Sequence, residues 1–257
     1  MIDSHIHLDA DQYADVASVI KRAREAGIDA LVAPGVTPAS NQRLLELAAS
    51  YPDFVHAAIG AHPEHFEPSD DEIAATLELA RANRDRICAI GEVGLPWYGQ
   101  NSRREDVIAR SRKVLVQFAE LATELDLALI LHCPHQTARE ALKIIQTAKV
   151  RRAVFHWHKS DEATTRAILE AGYFISLTPE VVYRDRDQAL ARIVPLDQMM
   201  VETDGPWPYG GPFEGKPTEP GFIADTVYAI ASIRGDALDS IVGAITTNSM
   251  RLFGIRA

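Results

Sequence analysis

The feature that most limits how this chain can fold is an eightfold alternation: a short β-branched run, a break, then a segment with the apolar spacing of a helix. Residues 2–8, 30–34, 55–61, 87–95, 128–133, 153–158, 173–178 and 199–204 read as strands. Helical segments lie between them at 13–26, 41–50, 70–83, 104–126, 137–148 and 161–171, with a short one around 185–192 and two more, 222–233 and 236–253, closing the chain. Strands that alternate with helices pair in parallel. Eight such units predict an α/β fold, a (β/α)8 TIM barrel in a single domain over residues 1–257, in keeping with the about 250 residues such a barrel needs. Punctuation agrees: Ser69 with Glu72 is a capping-box pattern, and Gly27 and Gly172 fall where helices end. Residues 205–221 hold five prolines and five glycines, too many for a helix or an interior strand, and read as a long loop after strand eight.

Composition narrows the partners. A net charge of −10 opposes a polyanion, so a nucleic-acid substrate would need local attraction from bound cations and a few Arg or Lys residues. Cys88 and Cys133 sit in apolar runs without C-x-x-C spacing and read as reduced thiols of a cytoplasmic protein. No secretory signal is read, and no apolar run approaches the roughly 20 residues that span a bilayer, so no membrane partner is expected.

A parallel barrel builds its active site at the carboxyl ends of its strands. Here those ends carry His5 and His7, His62, Glu92, His132, His156, and Glu202 with Asp204. A lone buried histidine is usually a hydrogen-bonded core residue. Five of the nine histidines at strand ends, with two carboxylates in otherwise apolar runs, are a different matter. Burying an unpaired carboxylate costs several kcal/mol, so Glu92 and Asp204 need cations close by. Strand alternation puts His5 and His7 on one face, and imidazole with carboxylate suits Zn, Mn, Fe or, with more oxygen ligands, Mg.

The motifs that carry these residues are Asp3-Ser4-His5-Ile6-His7-Leu8-Asp9, Gly60-Ala61-His62-Pro63, Ile90-Gly91-Glu92-Val93-Gly94-Leu95, Ile130-Leu131-His132, Phe155-His156, Glu202-Thr203-Asp204-Gly205-Pro206 and Asn248-Ser249-Met250-Arg251-Leu252-Phe253. Over the whole chain the sequence resembles the TatD-type metal-dependent deoxyribonucleases of the amidohydrolase superfamily. The first motif is common to many amidohydrolases; the Glu92 and Glu202–Pro206 motifs together are much narrower. The resemblance implies two divalent metal ions (Mg, Mn or Zn), one held by His5, His7 and Asp204, the other by His132 and His156, with Glu92 bridging. It implies catalytic roles for Asp204 and Glu92, with Asp204 accepting the proton of the attacking water; the alternative for Asp204 is ligation alone. His62 would meet the substrate phosphate or support a ligand, and Glu202 would support a ligand or balance charge.

Other residues leave alternatives open. Alternation places His156 and His158 on the same side, and the family position is His156; His158 either contacts substrate or hydrogen-bonds a loop. Cys133 has no evident base and is not read as a nucleophile. His56 and His65 read as structural or exposed. Trp97, Trp157 and Trp207, with Tyr98 and Tyr209, either stack on bases or pack the loops.

Departures from the family pattern cluster at substrate binding. Pro96 stands where Asp is usual, Cys133-Pro134-His135 replaces a run with a phosphate-binding Arg, and Trp157-His158-Lys159-Ser160 replaces a Phe-Ser-Gly run, with Lys159 either restoring a positive charge near a phosphate or standing solvated in its loop. The expected function is a divalent-metal-dependent phosphodiesterase or 3′-exodeoxyribonuclease acting on single-stranded or frayed DNA. The alternatives are an amidohydrolase for a small phosphoester, lactone or amide, and a non-catalytic metal-binding scaffold.

Overall fold

A computed structural model describes residues 1–64 and 68–256. Its strands are β1 (Ile2–Asp3), β2 (Ala30–Pro34), β3 (Val55–Ile59), β4 (Ala89–Gly94), β5 (Ala128–His132), β6 (Ala153–Phe155), β7 (Phe174–Leu177) and β8 (Met199–Val201), paired in parallel in that order. The two ends of the sheet meet. Ser4 N–H donates to the Val201 carbonyl (3.1 Å), Asp204 N–H to that of His5 (2.9 Å) and His7 N–H to that of Gly205 (2.8 Å), which brings the last strand back to the first and makes the expected barrel. The helices are α1 (Val16–Glu25), α2 (Pro38–Ser50), α3 (Asp70–Ala82), α4 (Glu105–Leu125), α5 (Thr137–Thr147), α6 (Glu162–Glu170), α7 (Asp185–Ile193), α8 (Phe222–Arg234) and α9 (Leu238–Phe253).

Both faces of the strands are apolar because both are covered. Alternate residues enter two clusters: Leu31, Ala33, Leu129, Leu131 and Phe155 join the layer packed on the helices, while Ile2, Ala30, Val32, Ile130, Val154, Phe174 and Met200 form a separate cluster with Leu252, Phe253 and Ile255 from the end of the chain. The second cluster is the barrel interior. Two residues further along the same inward columns, Ile130 gives way to His132, Val154 to His156, Phe174 to Ser176 and Met200 to Glu202. The interior thus changes from apolar to polar within one pleat repeat, which positions the site.

Several boundaries differ from the sequence pattern. β1, β6 and β8 stop at Asp3, Phe155 and Val201, short of residues 8, 158 and 204. Trp157 (φ 37°) and Asp204 (φ 46°) have left-handed backbone, which ends the pleat where functional side chains begin. The short seventh helix is regular over nine residues. The capping box at Ser69 is present, its N–H donating to Glu72 (2.9 Å) and its Oγ accepting from Glu72 N–H (3.2 Å).

Gly94 lies opposite His132 in the pairing of β4 with β5. A Cβ there would fall 1.9 Å from the His132 carbonyl oxygen, which also accepts from Leu95 N–H at 2.9 Å. The neighbour is backbone and cannot rotate away. Gly94→Ala is therefore expected to lower the unfolding free energy by about 1–3 kcal/mol or more, as overpacking does, read as a reduced midpoint in urea denaturation.

Candidate metal centre

Glu92 lies at the middle of the site with no exposure to solvent, on a strand whose pairing with β5 shifts register between Ile90 and Val93. Its Oε2 is 3.2 Å from His5 Nε2 and 3.5 Å from His7 Nε2. Its Oε1 is 2.7 Å from His156 Nε2, 2.8 Å from His132 Nδ1 and 3.4 Å from His62 Nε2. Asp204 faces the first pair, its Oδ1 3.5 Å from His5 Nε2 and 3.4 Å from His7 Nε2. The donor atoms of His5, His7 and Glu92 lie within 4.8 Å of one another, as do those of His62, Glu92 and His132, and those of His5, His156 and Glu202. The residues expected at the metals therefore come together, with His5, His7 and Asp204 on one side of Glu92 and His132 and His156 on the other.

Electrostatics explain how so buried a carboxylate persists. Burial pushes the Glu92 carboxyl up, but the His62, His156 and His5 imidazoles and the His132 hydrogen bond outweigh it and hold the group well below the usual carboxylate range. Burial pushes the Asp204 carboxyl up too, and His7, His5 and His156 hold it down. Burial, reinforced by His156, lowers His5 against the opposing pull of Glu92 and Asp204.

The donor set fits divalent cations. Both ring nitrogens of His5, Nδ1 of His7, Oε2 of Glu92 and Oδ1 of Asp204 are buried without a hydrogen-bond partner. Each orphaned polar atom costs about 1–3 kcal/mol, and the three that face one another, His5 Nε2, Glu92 Oε2 and Asp204 Oδ1, are accounted for by a cation held among imidazole nitrogens and carboxylate oxygens.

The supporting residues are distinct. Glu202 is fully buried behind His156: it is 3.3 Å from His156 Nδ1 and accepts from Trp157 N–H (2.6 Å) and Ser176 Oγ (2.6 Å). A carboxylate on Nδ1 fixes a proton there and keeps Nε2 aimed at Glu92. His62 Nδ1 accepts from Glu64 N–H (3.1 Å), so in the neutral ring Nε2 carries the hydrogen and points it at Glu92. His62 thus supports the central carboxylate.

Lys159 lines the cleft, its Nζ 3.5 Å from the centre of the Trp157 ring and 3.9 Å from Glu180 Oε2. His158 corrects an expectation. The left-handed turn at Trp157 breaks the alternation and sends the His158 ring away from the cleft, where it is buried with Nε2 2.8 Å from Thr165 Oγ1 of α6. Cys133 is buried, and burial pushes its thiol up, away from nucleophilic use. His56 is half-buried at the far end of the barrel, beside Cys88 and Phe253. His65 lies outside the described residues.

Of the aromatics, Trp157 packs edge-on against Trp207 and donates from Nε1 to Glu180 (2.9 Å), and Tyr209 is buried with its hydroxyl on the Thr203 carbonyl (2.5 Å). Tyr98 and Trp207, more than half exposed, stand on the wall of a cleft of about 690 Å³ that also contains His7, His132 and Asp204.

Three residues escaped the sequence reading. Asp3 accepts from Thr203 N–H (2.9 Å) and Oγ1 (2.5 Å), locking β1 to β8, and burial pushes its carboxyl up to about 8 against those hydrogen bonds. Glu64 accepts from three consecutive backbone amides and His132. Glu180 gathers Trp157, Arg184, Arg186 and Lys159. Only the acidic residue directly after His62-Pro63 was a usable signal.

Comparison with known proteins places this geometry. The family described as TatD related DNase matches residues 2–254. The chain is 32% identical over 265 residues to a 3′-5′ ssDNA/RNA exonuclease TatD of Erwinia tasmaniensis, covering 99% of this chain and 100% of that one. It is 30% identical over 253 residues to an uncharacterized metal-dependent hydrolase of Haemophilus influenzae, covering 98% and 99%. Among solved structures, the TatD homologue YjjV of Escherichia coli K12 matches with a TM-score of 0.90 at 25% identity, over 100% of this chain and 98% of that one. The chain belongs to the TatD-related DNase family and is a metal-dependent hydrolase.

The role of Glu202 is open to direct measurement. Glu202→Gln is expected to weaken Mn2+ binding by about 10–100-fold in calorimetric titration. Unchanged affinity with a lowered melting temperature would mean that the carboxylate serves the fold alone.

Proposed function

We propose that the cleft holds two divalent cations, from among Mg, Mn and Zn, and hydrolyses the terminal phosphodiester at the 3′ end of single-stranded or frayed DNA. The observation that carries this reading is the convergence of five histidines on Glu92, with Asp204 beside it and orphaned polar atoms between them. In this reading His5, His7 and Asp204 hold one cation, His132 and His156 the other, and Glu92 is shared. Such cations, once bound, supply a water acidic enough to attack phosphorus at neutral pH and positive charge facing the phosphate oxygens. The Erwinia relative's name supports a single strand and a 3′ start.

The chain's own residues then divide the work. Asp204, at the cleft wall, accepts a proton from the attacking water. Lys159 sets a positive charge against the phosphate on the side where the β5 loop offers His135 in place of an arginine. Tyr98 and Trp207 offer exposed ring faces for terminal bases. No helix among the described residues is long and apolar enough to cross a membrane, and the free buried thiols of Cys88 and Cys133 suit the reducing cytoplasm. A small phosphoester is the second reading: the cleft has the volume of a small-molecule site, and the altered loops around Cys133 and Trp157 border it.

Purified protein loaded with Mn, Mg or Zn, given an end-labelled single strand, is expected to shorten it progressively from the 3′ end, and a chelator should stop this. Asp204→Ala should lower kcat by about 10²–10⁴-fold with little change in KM. Cleavage of a small phosphoester, lactone or amide without shortening of the strand would move the assignment to that substrate. Retention of metal without turnover of any of these would leave a binding scaffold.

Lys159 adds a pH signature. Burial pushes its ammonium down to about 8, Arg186 acts in the same direction, and Glu180, Asp187 and Asp204 oppose it; Tyr98, Trp157 and His135 complete its surroundings. The charged form exists below that value and is lost above it, so KM for the anionic strand should rise as pH passes through 8. In Lys159→Met, KM should be about tenfold higher at pH 7 and lose that inflection.

A further inference from the structure

Glu64 belongs to none of the ligand groups, yet its carboxylate is filled. Oε1 accepts from Trp97 N–H (2.7 Å) and His132 Nε2 (2.8 Å), and Oε2 accepts from the N–H groups of Tyr98 and Gly99 (both 2.8 Å). The side chain is almost wholly buried. A carboxylate has about four acceptor positions, and here three go to consecutive amides of one turn and the fourth to a histidine on a different strand. An ionised carboxylate only accepts, so the hydrogen on this side of His132 must sit on Nε2. Nδ1 is turned inward, 2.8 Å from Glu92 Oε1 and 3.4 Å from His156 Nε2, so a cation there would replace the hydrogen that Nδ1 shares with Glu92 while Nε2–H stays on Glu64.

The turn held by Glu64 is part of the cleft rim. It carries Tyr98, whose hydroxyl is 3.2 Å from His135 Nε2 and whose ring centre is 5.7 Å from Lys159 Nζ. Ser102 fastens the carbonyl side of the turn, its N–H bonding to Gly99 and its Oγ to Trp97. Its three N–H groups rest on the one carboxylate.

We infer that Glu64 is a positioning residue that joins the Tyr98 turn to His132, so that metal binding at His132 and ordering of the substrate-facing rim are one coupled event. The inference rests on reading His132 as a metal ligand. His132 would hold a cation at its inward nitrogen; with the ring so fixed, its Nε2–H bond to Glu64 would be fixed too, and the Glu64 carboxylate would hold the three amides. Glutamine cannot replace it, because its NH2 end meets N–H groups instead of accepting from them.

The test uses the full chain and Zn2+ alone. In the wild-type protein, Zn2+ should slow hydrogen exchange of the amides at 97–99 by about tenfold or more. Glu64→Gln should weaken Zn2+ binding by about 10–100-fold in calorimetry and abolish that change in exchange. Equal exchange at 97–99 with and without Zn2+ in the wild type overturns the inference, and this comparison decides the matter if the variant does not fold. Wild-type affinity in Glu64→Gln also overturns it. His132→Ala separates the two layers: if it keeps full Zn2+ affinity, the ligand assignment falls; if it loses affinity while Glu64→Gln does not, only the role of Glu64 falls.

Discussion

A carboxylate with no access to water and five imidazole rings around it is the interaction on which the other features depend. Glu92 cannot be buried alone, since an unpaired carboxylate inside a barrel costs several kcal/mol. The rings that compensate it must themselves be held. His156 is backed by Glu202, His132 by Glu64, and His62 by a backbone amide. Charge therefore alternates outward from the centre: carboxylate, imidazole, carboxylate, then amide and hydroxyl groups that close the pattern. Each layer holds the ring inside it in place, so the donor atoms of the centre are already gathered around Glu92.

The outer part of the cleft follows other rules. Its wall is built by loop residues whose order comes from a second buried acid, Glu180, which collects the Trp157 indole, Arg184, Arg186 and Lys159. Here three cations stand against two acids, Glu180 and the buried Asp187, in a chain whose net charge is −10. The positive character facing a substrate is local to one side of the cleft, and the acidic exterior does not prevent it.

Much of this was legible in the sequence, and for a definite reason. A parallel strand buried on both faces leaves few polar residues, so His132, His156, Glu92 and Glu202 stand out against Ile130, Val154, Ile90 and Met200. What was not legible lies where the period of two stops. His158 has the right spacing to join His156, but the left-handed backbone at Trp157 turns it into α6. Glu64 and Glu180 sit outside the strands and long helices, and the Glu64 partners at Trp97, Tyr98, Gly99 and His132, like the Glu180 partner Trp157, come from distant parts of the chain that no local pattern encodes. The strand ends at Asp3, Phe155 and Val201 were overrun for the same reason: the spacing of two between His5 and His7, His156 and His158, and Glu202 and Asp204 continues past the last strand residue.

The seam between β1 and β8 has a consequence for how the chain comes into being. Asp3 bonds to Thr203, and His5 and His7 face Asp204, across about 200 residues of sequence. During synthesis the first strand leaves the ribosome long before either partner exists, and its two histidines wait while seven further strands are made. Local βα units can form in order, but the half of the site that unites the two ends arises only in the last step of closure. A chain stopped short of residue 204 lacks the carboxylate that faces His5 and His7, so those two rings are left with Glu92 alone.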